Sequence, residues 1–206
     1  MVERFLNEAV WQCKNDGGKE DEAVIGALNN RNQSAAVRHN EVLKWLRYYG
    51  VLQGLNTANR DAVANIIVEF ADTRGATEDP LSEVEIIGEF DNLHNRCKSI
   101  VARRLTSLTS KALWCCYPHS IPLFDSYARR SLWVISRLMG LDRPAGNDDD
   151  IPYTRFVSVW LNLYRGVSID DDRLGGYPYK VRVFDRILWI IGQPDYGVTR
   201  RPPGKG

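Results

Sequence analysis

Apolar residues recur along this chain at helical rather than strand spacing. Phe5, Leu6, Ala9, Val10 and Cys13 share one side of a predicted helix over 2–14, ended by Gly17-Gly18. A short helix over 21–28 follows. Positions 35–49 repeat Val42, Leu43, Trp45 and Leu46 and stop at Gly50, a C-terminal glycine signal. Positions 59–72 carry Val63, Ile66, Ile67 and Phe70, and Gly75 ends that run. Pro80 suits the first turn of the next helix, which holds Val84, Ile87 and Phe90, and 97–105 continues or restarts it. Further helices are predicted over 107–116, 126–139, 153–164 and 179–191. No stretch alternates like a strand. The expectation is an all-α protein of about nine helices, forming a single domain over 1–198, with two lobes allowed. The polar loop at 143–150 marks a weak lobe boundary, and 199–206 reads as a disordered tail.

Composition adds little to that picture. The 206 residues carry 44% hydrophobic and 26% charged residues and a net charge of +1, ordinary for a globular protein. No apolar run is long enough to span a bilayer. The charged, amphipathic start does not read as a signal peptide, so a cytoplasmic protein is expected. Cys115 and Cys116 are adjacent and cannot easily bridge, and no CxxC occurs. His39, His94 and His119 are too scattered for a zinc site, so no metal and no cofactor is expected. Charge placement is more informative. Arg96, Lys98, Arg103 and Arg104 precede the most apolar block, and Arg129, Arg130 and Arg137 follow it, while acids gather at 78–89 and 148–150. A nearly neutral chain patterned this way can still present a basic face to phosphates.

Between those arginines lies Leu105-Thr-Ser-Leu-Thr-Ser-Lys111-Ala-Leu-Trp-Cys-Cys-Tyr-Pro-His-Ser-Ile-Pro-Leu-Phe-Asp125-Ser126. Lysine and aspartate are among the residues least often buried without a partner, so both stand out in an apolar block. Lys111 falls in the early turns of a predicted helix, beside Trp114 and Cys115. The helix dipole and the apolar neighbours both disfavour an ammonium there. A neutral amine so placed can attack an electrophilic sugar carbon. Taken alone, a lysine reaching from a buried helix to water is the simpler reading. Asp125 directly precedes a strongly periodic helix and reads as its N-cap. A carboxylate fixed that way can also stabilise an oxocarbenium-like sugar or direct a proton.

The order of basic helix, tight turn, lysine-bearing helix, turn and helix-starting aspartate resembles the helix-hairpin-helix superfamily of DNA glycosylases, especially the oxidised-guanine glycosylases. Leu105 to Ala112 would occupy the hairpin and the nucleophile position, and Ile121 to Tyr127 the aspartate segment. Ser110-Lys111 and Phe124-Asp125-Ser126 match a pattern of divergent bacterial relatives, among them antiviral glycosylases. Val181 to Gly192 is similar to a closing helix of that branch. Ser107 and Thr109 stand where the family hairpin usually has glycines, the lysine–aspartate spacing is shorter than usual, and no iron–sulfur cysteine set follows.

The resemblance implies a two-lobed helical glycosylase-like fold with a central hairpin-like turn. It implies an enzyme that extrudes a modified base from double-stranded DNA and excises it, with Lys111 and Asp125 catalytic; the sequence leaves the oligomeric state open, with a monomer as the default expectation. The base would be 8-oxoguanine, or a phage hypermodified base such as glucosylated hydroxymethylcytosine. Lyase activity through Lys111 is compatible with it. Trp114, Phe124, Tyr117 and Trp45 are candidates to hold the base, although core packing explains any one aromatic more simply. Arg103, Arg104, Ser107, Thr109, Ser110 and Arg129 are candidate DNA contacts. Two alternatives stay open: a non-catalytic helical nucleic-acid-binding module, and an interaction protein whose arginines pair with its own acids.

Overall fold

A computed structural model describes residues 2–74, 80–102, 105–138 and 152–193. The expected loop at 143–150, the expected tail at 199–206 and the arginines Arg103 and Arg104 lie outside the described residues. Every regular element among the described residues is a helix, in the order α1 Val2–Asn15, α2 Gly18–Asn29, α3 Ala35–Tyr48, α4 Thr57–Thr73, α5 Glu83–Lys98, α6 Thr106–Cys116, α7 Ser126–Leu138, α8 Tyr153–Arg165, α9 Asp171–Leu174 and α10 Lys180–Gly192. The fold is all-α, and no helix of the described residues is long and apolar enough to cross a membrane.

The chain divides into two compact units. One is continuous, from Lys14 to Ile121; the other joins Met1–Cys13 to Pro122–Gly206. The divisions fall at Cys13/Lys14 and Ile121/Pro122.

In the continuous unit, α2 packs on α3, α4 and α6, α3 on α4, α4 on α5, and α5 on α6. Side-chain caps set the starts: Ser34 accepts the Val37 amide, and Asn56 accepts the Asn59 amide at 2.8 Å. Ser82 and Glu85 form a reciprocal capping box, so α5 starts after Ser82 and Pro80 lies outside it. Arg96 and Lys98 in its last turn suit the dipole. The helix then stops, because the Ile100 and Val101 amides turn back to the Cys97 carbonyl. Where the sequence predicts that the helix continues or restarts from Cys97, residues 99–100 form a turn. Between α1 and α2, Gly17 has φ +92°, and a Cβ there would stand 3.0 Å from the Tyr48 ring and 3.0 Å from the Tyr49 hydroxyl. Both conformation and space require glycine.

α6 is the most buried helix of this unit. Leu108 through Cys116 are all buried, with no acidic residue in its first turn and no side-chain cap at Leu105. Burial rather than capping holds it, at roughly 1.5–3 kcal/mol per large apolar side chain. The helix expected over 107–116 starts at Thr106, so Thr106 to Ser110, which the resemblance assigns to the hairpin, are helical.

In the discontinuous unit, α7 packs chiefly on α10 and also on α8. Ser131 Oγ donates to the Leu188 carbonyl, and Arg130 Nη1 donates to the Gly192 carbonyl at 3.2 Å. The Tyr127 ring meets Trp189 edge-on at 5.8 Å. Cys13 Sγ approaches the Arg182 carbonyl at 3.8 Å, tying α1 to α10.

Candidate functional site

Lys111 sits in the second turn of α6 and is 7% exposed. Its Nζ donates to Ser107 Oγ, one turn earlier on the same face, at 2.8 Å. The structure thus brings together the expected nucleophile and one of the expected DNA contacts. The other two hydroxyls of the segment are interior groups. Thr109 and Ser110 are each 0% exposed. Ser110 Oγ donates to the Ser107 carbonyl at 3.2 Å, and Thr109 Oγ1 lies 3.2 Å from His94 Nδ1. α6 is buried on nearly every side, and only its first turn stays half-exposed. His94 stacks on Phe90 at 5.2 Å, and burial first, then Lys98, hold its pKa below the usual histidine value.

Trp114 and Trp45 form part of the core of the same unit. Trp114 is 0% exposed, gives its indole N–H to the Pro118 carbonyl at 3.2 Å, and stacks on Trp45 with centroids 6.4 Å apart. The Trp45 indole and the Tyr49 hydroxyl both donate to Oδ1 of buried Asp21, each at 2.8 Å. Both tryptophans are buried, Trp45 at 2% and Trp114 at 0% exposed. Tyr117 closes the end of α6 beneath the Arg74 guanidinium, 4.8 Å from its ring centre. Arg74 also donates to the Cys116 carbonyl and to Asn29 Oδ1. Burial, with Glu89 adding to it, pushes the Tyr117 hydroxyl up to about 12.

Asp125 belongs to the other unit and starts α7 as the sequence predicts. Its Oδ1 accepts the Tyr127 and Ala128 amides, both at 2.8 Å. Both capping bonds fall on one oxygen, and the carboxylate is half-buried. Half-buried Phe124 meets Phe156 edge-on at 5.0 Å and Tyr153 at 6.3 Å. Half-buried Arg129 lies one turn into the helix that Asp125 caps.

The approach to Asp125 is anchored by residues that the sequence reading left out. Asp185 on α10 is 2% exposed. Its Oδ2 accepts the Leu123 amide at 3.0 Å, and its Oδ1 accepts the Trp160 indole N–H at 2.8 Å. The Tyr153 hydroxyl donates to the Pro122 carbonyl at 2.9 Å. Burial drives the Asp185 carboxyl well above the usual aspartate range; the Leu123 amide, Arg182 and the Trp160 indole oppose that, and Asp125 adds to it. An aspartate in the middle of the apolar run Val181 to Ile191 was the signal that could have found it.

No group of three or more His, Cys, Asp or Glu among the described residues could hold a metal ion. No family model, curated protein or solved structure matches the chain at a significant level.

Proposed function

We propose that this protein is a DNA glycosylase that excises a modified base from duplex DNA, with Lys111 as the amine nucleophile and Asp125 as the fixed carboxylate. The observation that carries this reading is Lys111 itself: an amine buried within an apolar helix and held on a hydroxyl. A buried lysine amine is a candidate nucleophile, and chemistry is a reason to keep one there. Asp125 supports the same reading, because its cap fixes one oxygen and leaves Oδ2 outside the cap. Ser107, Arg129, Arg103 and Arg104 remain the proposed DNA contacts, and Phe124 and Tyr117 the proposed neighbours of the base.

In this reading the lone pair of neutral Lys111 attacks C1′ of the extruded nucleotide. The C1′–N bond breaks, its electrons leave with the base, and the base takes up a proton. Loss of the amine proton with opening of the sugar ring gives an imine, which borohydride reduces to a stable adduct. The substrate classes in view are an oxidised purine and a bulky phage cytosine. An antiviral role would go with the second. A non-catalytic nucleic-acid-binding module is the second reading, favoured by the closed packing of Trp45 and Trp114.

The test is a panel of modified-base duplexes, with mass detection of released base and borohydride trapping. Base release abolished in Asp125→Asn, together with an adduct lost in Lys111→Ala, is the expected result. Wild-type protein that binds the duplexes but releases no base from any of them supports the binding module instead.

A further inference from the structure

The Pro122–Asp125 segment carries the proposed catalytic carboxylate but has no regular structure of its own. Its backbone is secured by side chains from two helices. Asp185 on α10 takes the Leu123 amide, and Tyr153 on α8 gives its hydroxyl to the Pro122 carbonyl. Asp185 is in turn fixed by the Trp160 indole, so one carboxylate joins α10, α8 and the irregular entry to α7. A carboxylate buried this deeply is expensive unless its hydrogen bonds are made. An apolar residue would pack a helix interface more cheaply, so packing alone does not explain an acid here. What only the acid provides is two acceptors at once, one for each N–H.

We infer that Asp185 is a positioning residue: by anchoring the Leu123 amide, it sets where the Asp125 carboxylate sits at the start of α7. This rests on the glycosylase reading for its role in catalysis, but the anchor itself is a physical claim about the segment. Asparagine has nearly the same volume and only one acceptor oxygen. In Asp185→Asn the Leu123 amide and the Trp160 indole therefore compete for it, and the entry to α7 loosens.

The experiment compares Asp185→Asn with Val183→Ala, a fully buried α10 change that weakens the unit without touching the anchor. Amide hydrogen exchange is measured at Leu123, Tyr127 and Ala128, alongside single-turnover base release and duplex affinity. Asp185→Asn is expected to speed exchange at those three amides by about tenfold relative to the rest of α8 and α10. Val183→Ala is expected to raise exchange evenly. Base release in Asp185→Asn should fall with duplex affinity unchanged. Unchanged Tyr127 and Ala128 amides overturn the inference, and so does the same selective pattern in Val183→Ala. An active enzyme whose release rate ignores Asp185→Asn overturns its role in positioning. Wild-type protein that releases no base defeats the glycosylase reading instead, and the amides still decide the anchor.

Discussion

Gly192 of α10 lies so close to Tyr127 of α7 that a Cβ on it would stand 2.0 Å from the Tyr127 carbonyl oxygen. The obstacle is backbone, so no rotamer change relieves it. Helix propensity alone says Gly192→Ala should stabilise by about 1 kcal/mol. Overpacking against a fixed backbone costs about 1–3 kcal/mol or more, and it wins. Gly192→Ala is expected to lower the thermal midpoint. A raised midpoint would mean that the two helices are not this close.

Asp21 separates a core role for Trp45 from a base-stacking one. Asp21→Ala removes the acceptor of both the Trp45 indole and the Tyr49 hydroxyl. The buried indole then lacks this partner, at a cost of about 1–3 kcal/mol, and the half-buried Tyr49 hydroxyl loses it at a smaller cost. Denaturant titration should show the loss, while affinity for duplex DNA stays unchanged. A selective loss of DNA affinity at full stability would return Trp45 to the substrate site.

The cysteines should be chemically silent in the native protein. Cys13, Cys97, Cys115 and Cys116 are buried thiols outside any disulfide. Burial pushes the Cys97 thiol up to about 12 and the Cys116 thiol up to about 11. The thiolate is the reactive form, so alkylation at moderately alkaline pH should be slow until the chain unfolds. Mass spectrometry after iodoacetamide treatment, with and without denaturant, checks this. Rapid native alkylation of Cys97 or Cys116 would contradict it.

Asp185 also imposes a pH dependence. Burial raises its folded pKa above the unfolded value, so the folded state holds the proton more tightly. Its contribution to stability is therefore present at low pH. It is lost as pH rises from about 3.9 towards the raised value, and is flat beyond. Asp185→Asn removes this slope along with two-acceptor bonding. Relative to wild type, the variant should gain stability as pH rises from about 4 to about 7. Urea denaturation across that range checks the sign; a parallel offset at every pH would refute it.

Much of the helical skeleton was legible because burial and periodicity agree. α7 carries Ala128 and Leu132 on its buried side, and Asp125 reads as its cap before any coordinate is known. The misses have physical causes. Pro80 suits a first turn, but Ser82 and Glu85 offered the stronger reciprocal cap. α9 has only four residues, too few for a period to show. Ser107, Thr109 and Ser110 look polar in sequence, yet a serine or threonine inside a helix can bond locally and vanish from the surface, as Ser110 does. Asp185 was overlooked because its partners, the Leu123 amide and Trp160, are distant in sequence and no local pattern announces them.

The continuous unit interrupts the other one, and this has a temporal consequence. On a ribosome, residues 14–121 can fold as soon as they emerge. The first helix cannot join its own unit until α10 exists, because its Cys13 contact is the Arg182 carbonyl. At ordinary elongation rates that delay is on the order of ten seconds. Throughout it, the apolar side of Phe5, Leu6 and Ala9 waits for its native partners. Synthesis of this protein thus leaves α1 waiting on α10 for that contact.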